Sequence, residues 1–365
     1  MAESTHILSV VGARPQFVKS APVSRALRDA GIRESIVHTG QHYDQNMSEV
    51  FFRELDIPAP SHHLEVGSGG HGEQTGRMLE RLEGVIEEIR PDRILLYGDT
   101  NSTLAGALSA SKLHLPIDHV EAGLRSFNRR MPEEINRVVT DHLSDLLFAP
   151  TETAVENLAN EGIVRGVHLT GDVMFDATRA ATAIAREYCD VLERNGLETK
   201  KYALATIHRP ASTDERETLS HIIRGLAKVA KILPVVLPLH PRTRAALKRF
   251  GLLESAMASL QIVDPLGYLD MTSLEANASV IATDSGGVQK EAFFHGVPCV
   301  TIRSETEWVE LVELGWNILI DPIASDLAET ILSRIGKRGR EGSPYGDGAA
   351  ATAIARIIAT TELRS

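Results

Sequence analysis

Two cysteines, Cys189 and Cys299, are all that 365 residues contain. They have no metal-ligand spacing and form no disulfide framework. No apolar run reaches the 18 residues needed to cross a membrane, and the opening MAESTHILSVVG lacks the basic region and long apolar stretch of a signal peptide. A cytoplasmic protein with no membrane partner is expected. Positive charge is in deficit, with 38 Lys and Arg against 49 Asp and Glu, for a net charge of −11. Proteins that live on phosphate backbones are normally basic, which excludes nucleic acid as a general partner but not one small anion in a local pocket. The G-x-x-x-x-G-K-[ST] phosphate loop is missing, as are low-complexity tracts, heptads and short internal repeats. Gly67–Gly72 fits G-x-G-x-x-G but does not follow the first strand of a βαβ unit, so it reads as a flexible surface loop. His62 and His63 are adjacent and form no metal pattern with the other histidines, so no metal is expected.

What is present is ordinary globular material, 43% hydrophobic and 24% charged, in a chain too long for one core and suited to two domains. Short Val-, Ile- and Leu-rich runs recur. The first set is HILSVVG, SIVHTG, RILLYGD, IDHVEAG, LLFAPT and VHLTGD; the second is YALATIH, VVLPLH, LQIVDP, SVIATDSGG, PCVTIR and NILID. They are near-continuously apolar, as parallel strands buried on both faces should be, with amphipathic segments such as TGRMLERLEGVIEEIR between them. Two doubly wound parallel-sheet α/β domains follow, over residues 1–175 and 200–344, joined by a helical connector at 176–199. GAAATAIARIIATTEL closes the chain as a helix. Open parallel sheets place ligands beyond the carboxyl ends of their strands, so an interdomain cleft is the expected site.

Polar residues gather at those ends. Gly12-Ala13-Arg14-Pro15 and Lys19 set a glycine turn and two cations at a helix opening, which suits an anion. Asp99, Glu121 and Glu133 follow strands or open a helix, and three acids sharing a crevice would raise one another's pKa, as acid–base work requires. Capping would be the structural use of Asp99 and Glu133, and Arg125 the structural partner of Glu121. His208-Arg209 and His240 near Arg242 close equivalent strands and lean towards phosphate. Thr283-Asp284-Ser285-Gly286-Gly287 ends a strand in a hydroxyl and two glycines before a helix, whose free N–H groups suit a diphosphate, with Glu291 one turn on for ribose hydroxyls.

The strings GARPQFVK, TGQHYDQNM, YGDTNSTLAG, HVEAGLRSFN, MPEEINR, APTE, TGDVMFD, TIHR, LPLHPR, TDSGGVQKEA, ETEWVE and SPYGDG, from Gly12 to Gly348, closely resemble the non-hydrolysing UDP-N-acetylglucosamine 2-epimerase family. The resemblance implies two Rossmann-like domains in a GT-B arrangement, residues 345–365 packing back on the first, and a homodimer. It implies inversion at carbon 2 of a UDP-linked 2-acetamido sugar, UDP-N-acetylglucosamine to UDP-N-acetylmannosamine, by anti elimination of UDP and re-addition through a 2-acetamidoglucal. No nicotinamide or other cofactor is required, because nothing is oxidised overall. By the same resemblance Asp99, Glu121 and Glu133 match the catalytic acids, and His208 the catalytic histidine near the leaving diphosphate. Arg14 and Lys19 match cations of the site entrance, and Ser285, Gly286, Gly287 and Glu291 the diphosphate and ribose contacts. Arg137, Arg209 and His240 join the substrate-binding set.

Three departures from the family pattern stand out. Pro210-Ala211-Ser212 replace the polar x-E-N that often follows HR, Trp308 replaces an Arg, and Asp44 replaces a Gln of the segment that binds an activating second substrate in some members. ARPQFVK, HTGQHYDQNMSEVFF and ETEWVELV look like the branch acting on UDP-2,3-diacetamido-2,3-dideoxyglucuronic acid. Plain UDP-N-acetylglucosamine ranks first by family frequency. A GT-B glycosyltransferase would share the fold but would need an acceptor site and no trio of acids.

Overall fold

Seven strands pair in parallel in the order β3-β2-β1-β4-β5-β6-β7 in the computed structural model, which describes residues 5–41, 52 and 54–361. They are β1 (His6–Val11), β2 (Arg33–His38), β3 (His62–His63), β4 (Arg93–Tyr97), β5 (Ile117–Val120), β6 (Leu146–Ala149) and β7 (Val167–Leu169). Every residue of β1, β4, β5 and β6 is buried, polar ones included, as in strands covered on both faces. One face of the sheet packs Leu8, Val10, Ile94 and Leu96 against Met78, Leu82 and Ile86 of the helix His71–Ile89 and against Ala105 and Ala107 of the helix Asn101–Lys112. That second helix lies tight on the sheet because position 106 is glycine: a Cβ there would sit 2.5 Å from Leu96 Cδ2.

A six-stranded parallel sheet has the order β10-β9-β8-β11-β12-β13. Its strands are β8 (Ala203–Thr206), β9 (Val235–Pro238), β10 (Gln261–Val263), β11 (Val280–Thr283), β12 (Cys299–Thr301) and β13 (Asn317–Leu319). Ala203, Ala205, Val235 and Leu237 pack against Leu219, Ile222 and Leu226 of the helix Arg216–Val229. Both sheets are doubly wound. Their strand order reverses between β1 and β4 and between β8 and β11, the two points where such sheets accept ligands.

All twelve apolar runs are strands. The strand that the pattern missed is β3, two histidines with no apolar run to announce them. The glycine-rich stretch also differs from a simple loop, because His71 and Gly72 already belong to the helix His71–Ile89, with Gly70 at its N-cap and Glu73 in its first turn.

Met1–Ala177 and Ser343–Ser365 form one unit and Thr178–Gly342 the other. The helix Val173–Tyr188 runs across that boundary. Within the first unit, the helix Ala350–Thr360 packs against the helix Arg14–Asp29. The Asp176 carboxylate caps it, accepting from the backbone N–H groups of Ala350 at 3.3 Å and Ala351 at 3.0 Å.

Glu34 of β2 is a half-buried acid beside β1. Ser9 Oγ donates to Glu34 Oε1, and burial pushes the Glu34 carboxyl up, an effect that the Ser9 and Ser24 hydroxyls only partly offset. The native chain therefore binds more protons than the unfolded chain from about pH 4.5 upward, and this group makes stability fall as pH rises through that window. Glu34→Gln is expected to flatten the fall and to leave the variant more stable than wild type at pH 8 but not at pH 4, as urea midpoints at the two pH values will show.

Candidate active site

At the first switch point, β4 ends in Gly98, which adopts φ +62°, a left-handed turn that glycine enters without strain. Asp99 follows, and then Thr100, whose Oγ1 accepts from Thr103 N–H at 3.4 Å and caps the helix Asn101–Lys112. The capping thus falls to Thr100, and Asp99 is left for other work. Its side chain, 30% exposed, receives the Arg137 guanidinium at 2.9 Å. Burial pushes the Asp99 carboxyl up, Arg137 and Lys19 pull it down, and the Glu121 and Glu133 carboxylates add to the rise. Asp99, Glu121, Glu133, Lys19 and Arg137 therefore share one electrostatic neighbourhood, in which burial outweighs repulsion between the acids.

Glu121 follows β5 at φ +72°, a left-handed backbone that costs a non-glycine residue on the order of 1 kcal/mol. Its N–H is held by Phe148 O at 3.1 Å, and its carboxylate is ion-paired with Lys19. Arg125, the partner expected from sequence, instead reaches Asp141 and Glu161, each at 2.7 Å. The helix Pro132–Leu143 supplies the remaining groups. Glu133 is exposed, with its carbonyl accepting from Arg137 Nε at 3.2 Å. Glu134 is buried, and its carboxylate accepts the N–H groups of Ser126 at 2.9 Å and Phe127 at 3.0 Å, so only the first glutamate is open to a substrate.

Arg14 opens the helix Arg14–Asp29 and is half-buried. Gln16, which the sequence did not single out, occupies the centre of this turn. Its Oε1 accepts from Gly12 N–H at 2.8 Å and Ala13 N–H at 3.1 Å, and its Nε2 donates to Tyr97 O at 2.9 Å. The turn thereby spends two N–H donors on its own closure and is stapled to the end of β4. Asp44 lies outside the described residues. At the opposite, amino ends of β4–β7, a cavity of about 330 Å³ is lined by Arg93, Asp145, Arg165 and His168, away from the acids.

In the second unit, β8 is followed by Ile207, His208 and Arg209, and the backbone N–H groups of the last two both donate to the fully buried Asp284 carboxylate, at 3.0 and 2.9 Å. His208 Nδ1 lies 3.4 Å from the same carboxylate, and its ring is 5.4 Å from that of His240. The exposed His240 also caps the helix Pro241–Arg249 through Nδ1. Ser285, at the N-cap of the helix Gly286–Phe294, makes no capping bond among the described residues, and the first-turn N–H groups of any helix lack intrahelical acceptors. Arg209 and Trp308 both stand 3.6 Å from where a Cβ of Gly286 would be. Gly286 therefore opens a cradle walled by a guanidinium and an indole N–H. Lys290 Nζ sits 3.9 Å over the Trp308 ring, so the residue replacing the family's arginine is itself backed by a cation. Glu291 is buried beside Tyr268, whose hydroxyl is pushed up by burial and by the Glu291 carboxylate.

Carboxylates at one switch point and a helix-start cradle for an anion at the other define an enzyme of the doubly wound α/β class. The sequence matches the UDP-N-acetylglucosamine 2-epimerase family over residues 25–359. It is 49% identical to the UDP-2,3-diacetamido-2,3-dideoxy-D-glucuronate 2-epimerase of Pseudomonas aeruginosa, over 97% of this chain and 99% of that one. It is 43% identical to the UDP-N-acetylglucosamine 2-epimerase of Methanocaldococcus jannaschii, over 96% and 97%. The crystal structure of the M. jannaschii enzyme in complex with UDP-GlcNAc and UDP superposes with a TM-score of 0.91, over 97% of this chain and 99% of that one. The chain belongs to the UDP-N-acetylglucosamine 2-epimerase family, a family of isomerases.

Proposed function

We propose that the protein reversibly inverts carbon 2 of a UDP-linked 2-acetamido sugar, converting UDP-N-acetylglucosamine to UDP-N-acetylmannosamine. The observation that carries this reading is the grouping of Asp99 and Glu121, at the ends of neighbouring strands, with Glu133, Lys19 and Arg137 from the adjoining helices. The carbon 2 proton is weakly acidic, so a base must remove it as the bond from carbon 1 to the diphosphate breaks. The electron pair forms the double bond of a 2-acetamidoglucal, and UDP leaves as the anion. Re-addition of UDP at carbon 1 with proton delivery to the other face of carbon 2 completes the inversion. Two carboxyl groups are needed, one per face, and a cationic clamp for UDP.

In this reading Asp99 and Glu133 exchange the proton. The raised Asp99 carboxyl is poised nearer neutrality than a free aspartate, as a group that must both accept and donate should be. Glu121, tied to Lys19, orients and tunes the pair. The domain of residues 200–344 holds UDP through His208, Arg209, His240 and the Ser285–Gly287 turn, with Glu291 on the ribose. Arg14, on the domain of residues 1–175, is an entrance cation. No cofactor enters, the family resemblance supports a homodimer, and the lack of a long apolar run supports a cytoplasmic location.

The test is proton NMR of the purified protein with UDP-N-acetylglucosamine in heavy water. UDP-N-acetylmannosamine with deuterium at carbon 2 is expected, whereas free N-acetylmannosamine plus UDP would overturn the reading in favour of hydrolysis. The 49% identity to the diacetamidoglucuronate enzyme favours a second substrate. If the first sugar is left unchanged, turnover of UDP-2,3-diacetamido-2,3-dideoxyglucuronic acid in the same tube would establish that alternative.

A further inference from the structure

His119 lies in β5 with no exposed surface, two residues before Glu121. Its Nε2 is 2.7 Å from the carbonyl oxygen of Gly98, and its Nδ1 is 2.7 Å from Asp141 Oδ1. A carbonyl only accepts, so Nε2 must carry a hydrogen. Asp141 also accepts through Oδ2 from Arg125 at 2.7 Å and from Gly123 N–H at 3.1 Å. Burial pushes the Asp141 carboxyl up, but His119 and Arg125 outweigh it and hold the group below the usual range, as a carboxylate. Nδ1 thus faces a carboxylate oxygen while Nε2 faces the Gly98 carbonyl, and the ring is gripped at both nitrogens.

The two bonds have a geometric consequence. The Gly98 carbonyl belongs to the peptide that carries Asp99, and Gly98, at φ +62°, imposes little restraint of its own. Gly98 N–H is held by Val120 O at 3.0 Å. Its carbonyl is held by His119, which is itself anchored through Asp141 to Gly123, two residues beyond Glu121. The turn before Asp99 and the turn around Glu121 thus form one hydrogen-bonded piece with His119 at its centre.

We propose that His119 is a positioning residue for the reaction: donation from Nε2 to the Gly98 carbonyl fixes the peptide that presents Asp99 in register with Glu121. This rests on the acid–base role assigned to Asp99 above. Two substitutions separate positioning from bulk. In His119→Gln the side-chain amide nitrogen stands near the place of Nε2 and keeps the bond to Gly98. In His119→Asn it stands near Nδ1, where it keeps Asp141 and loses Gly98.

The experiment measures kcat and KM for the sugar nucleotide by NMR, the Kd for UDP by calorimetry, and thermal midpoints, with Asp99→Asn run alongside. His119→Asn is expected to lower kcat about 100-fold, as for an acid displaced by a fraction of an ångström, with KM and the UDP Kd changed by less than about threefold. His119→Gln is expected to stay within about tenfold of wild type in kcat at a similar midpoint. A folded His119→Asn protein with wild-type kcat would overturn the proposal. So would a Gln variant as slow as the Asn variant, or failure of both to fold, which would assign His119 to stability alone. Full activity in Asp99→Asn would instead remove the functional reading on which the proposal rests.

Discussion

Asp99→Asn is expected to lower kcat/KM for the sugar nucleotide by about 10³, or roughly 4 kcal/mol of transition-state stabilisation. Asparagine has nearly the shape of aspartate, and its oxygen can still accept from Arg137, so the turn after Gly98 and the helix capped by Thr100 should be undisturbed. What is lost is a group that can take a proton and give it back. UDP affinity should be unchanged, because the residues assigned to UDP lie in the other unit. In the wild-type enzyme, the acid limb of kcat/KM should fall at a pH above the ordinary aspartate value, since burial raises the Asp99 carboxyl, and activity should rise with pH as the base form appears. That limb should vanish from the residual activity of the asparagine variant. A folded variant within tenfold of wild type would remove Asp99 from the proton path.

The second large effect concerns stability. Arg93 in β4 and Asp118 in β5 form a fully buried ion pair, with Nε 2.8 Å from Oδ2 and the two side chains 2% and 0% exposed. Burial pushes the Asp118 carboxyl up and Arg93 opposes it, with Asp145 nearby adding to the rise. Arg93→Met removes the compensation and leaves an acid between two central strands. It is expected to cost about 3–5 kcal/mol at pH 7, read from denaturant unfolding. The stranded Asp118 should take up a proton in the native state, so the deficit should grow from pH 5 to pH 8. Arg93→Met with Asp118→Leu should recover most of the loss, because apolar groups of similar volume replace a buried pair at little cost. Equal losses in the single and double variants would show that the side chains matter for packing and not for charge.

The legibility of this chain in its sequence followed the burial of its strands. HILSVV and RILLY are buried on both faces and so read as continuous apolar runs, and the glycine and polar residues after them marked the carboxyl ends where chemistry gathers. β3 escaped because two residues make no pattern. The acids were found by place in the chain, but their partners were not. Lys19 meets Glu121 across 102 positions, and His119 meets Asp141 across 22, from a strand to a helix that no local period connects. His119 was also hidden by its surroundings, since in IDHV it is one of two polar residues in a strand of four. Gln16 looked like an ordinary residue of a helix opening, although its amide closes the turn. Each also reaches a carbonyl far away in the chain, Tyr97 O for Gln16 and Gly98 O for His119, and nothing in a linear pattern records those.

The closing helix Ala350–Thr360 bears on how the protein is made. The first unit is built from Met1–Ala177 and completed by Ser343–Ser365, with the whole of Thr178–Gly342 inserted between them in the chain. At ribosomal rates of about 5–20 residues per second, that insertion takes roughly 10–30 s to synthesise. Throughout that interval the face of the helix Arg14–Asp29 against which the last helix packs has no native cover. The acid-bearing unit therefore stays incomplete while the other is made, and its native packing at this helix waits on residues 343–365.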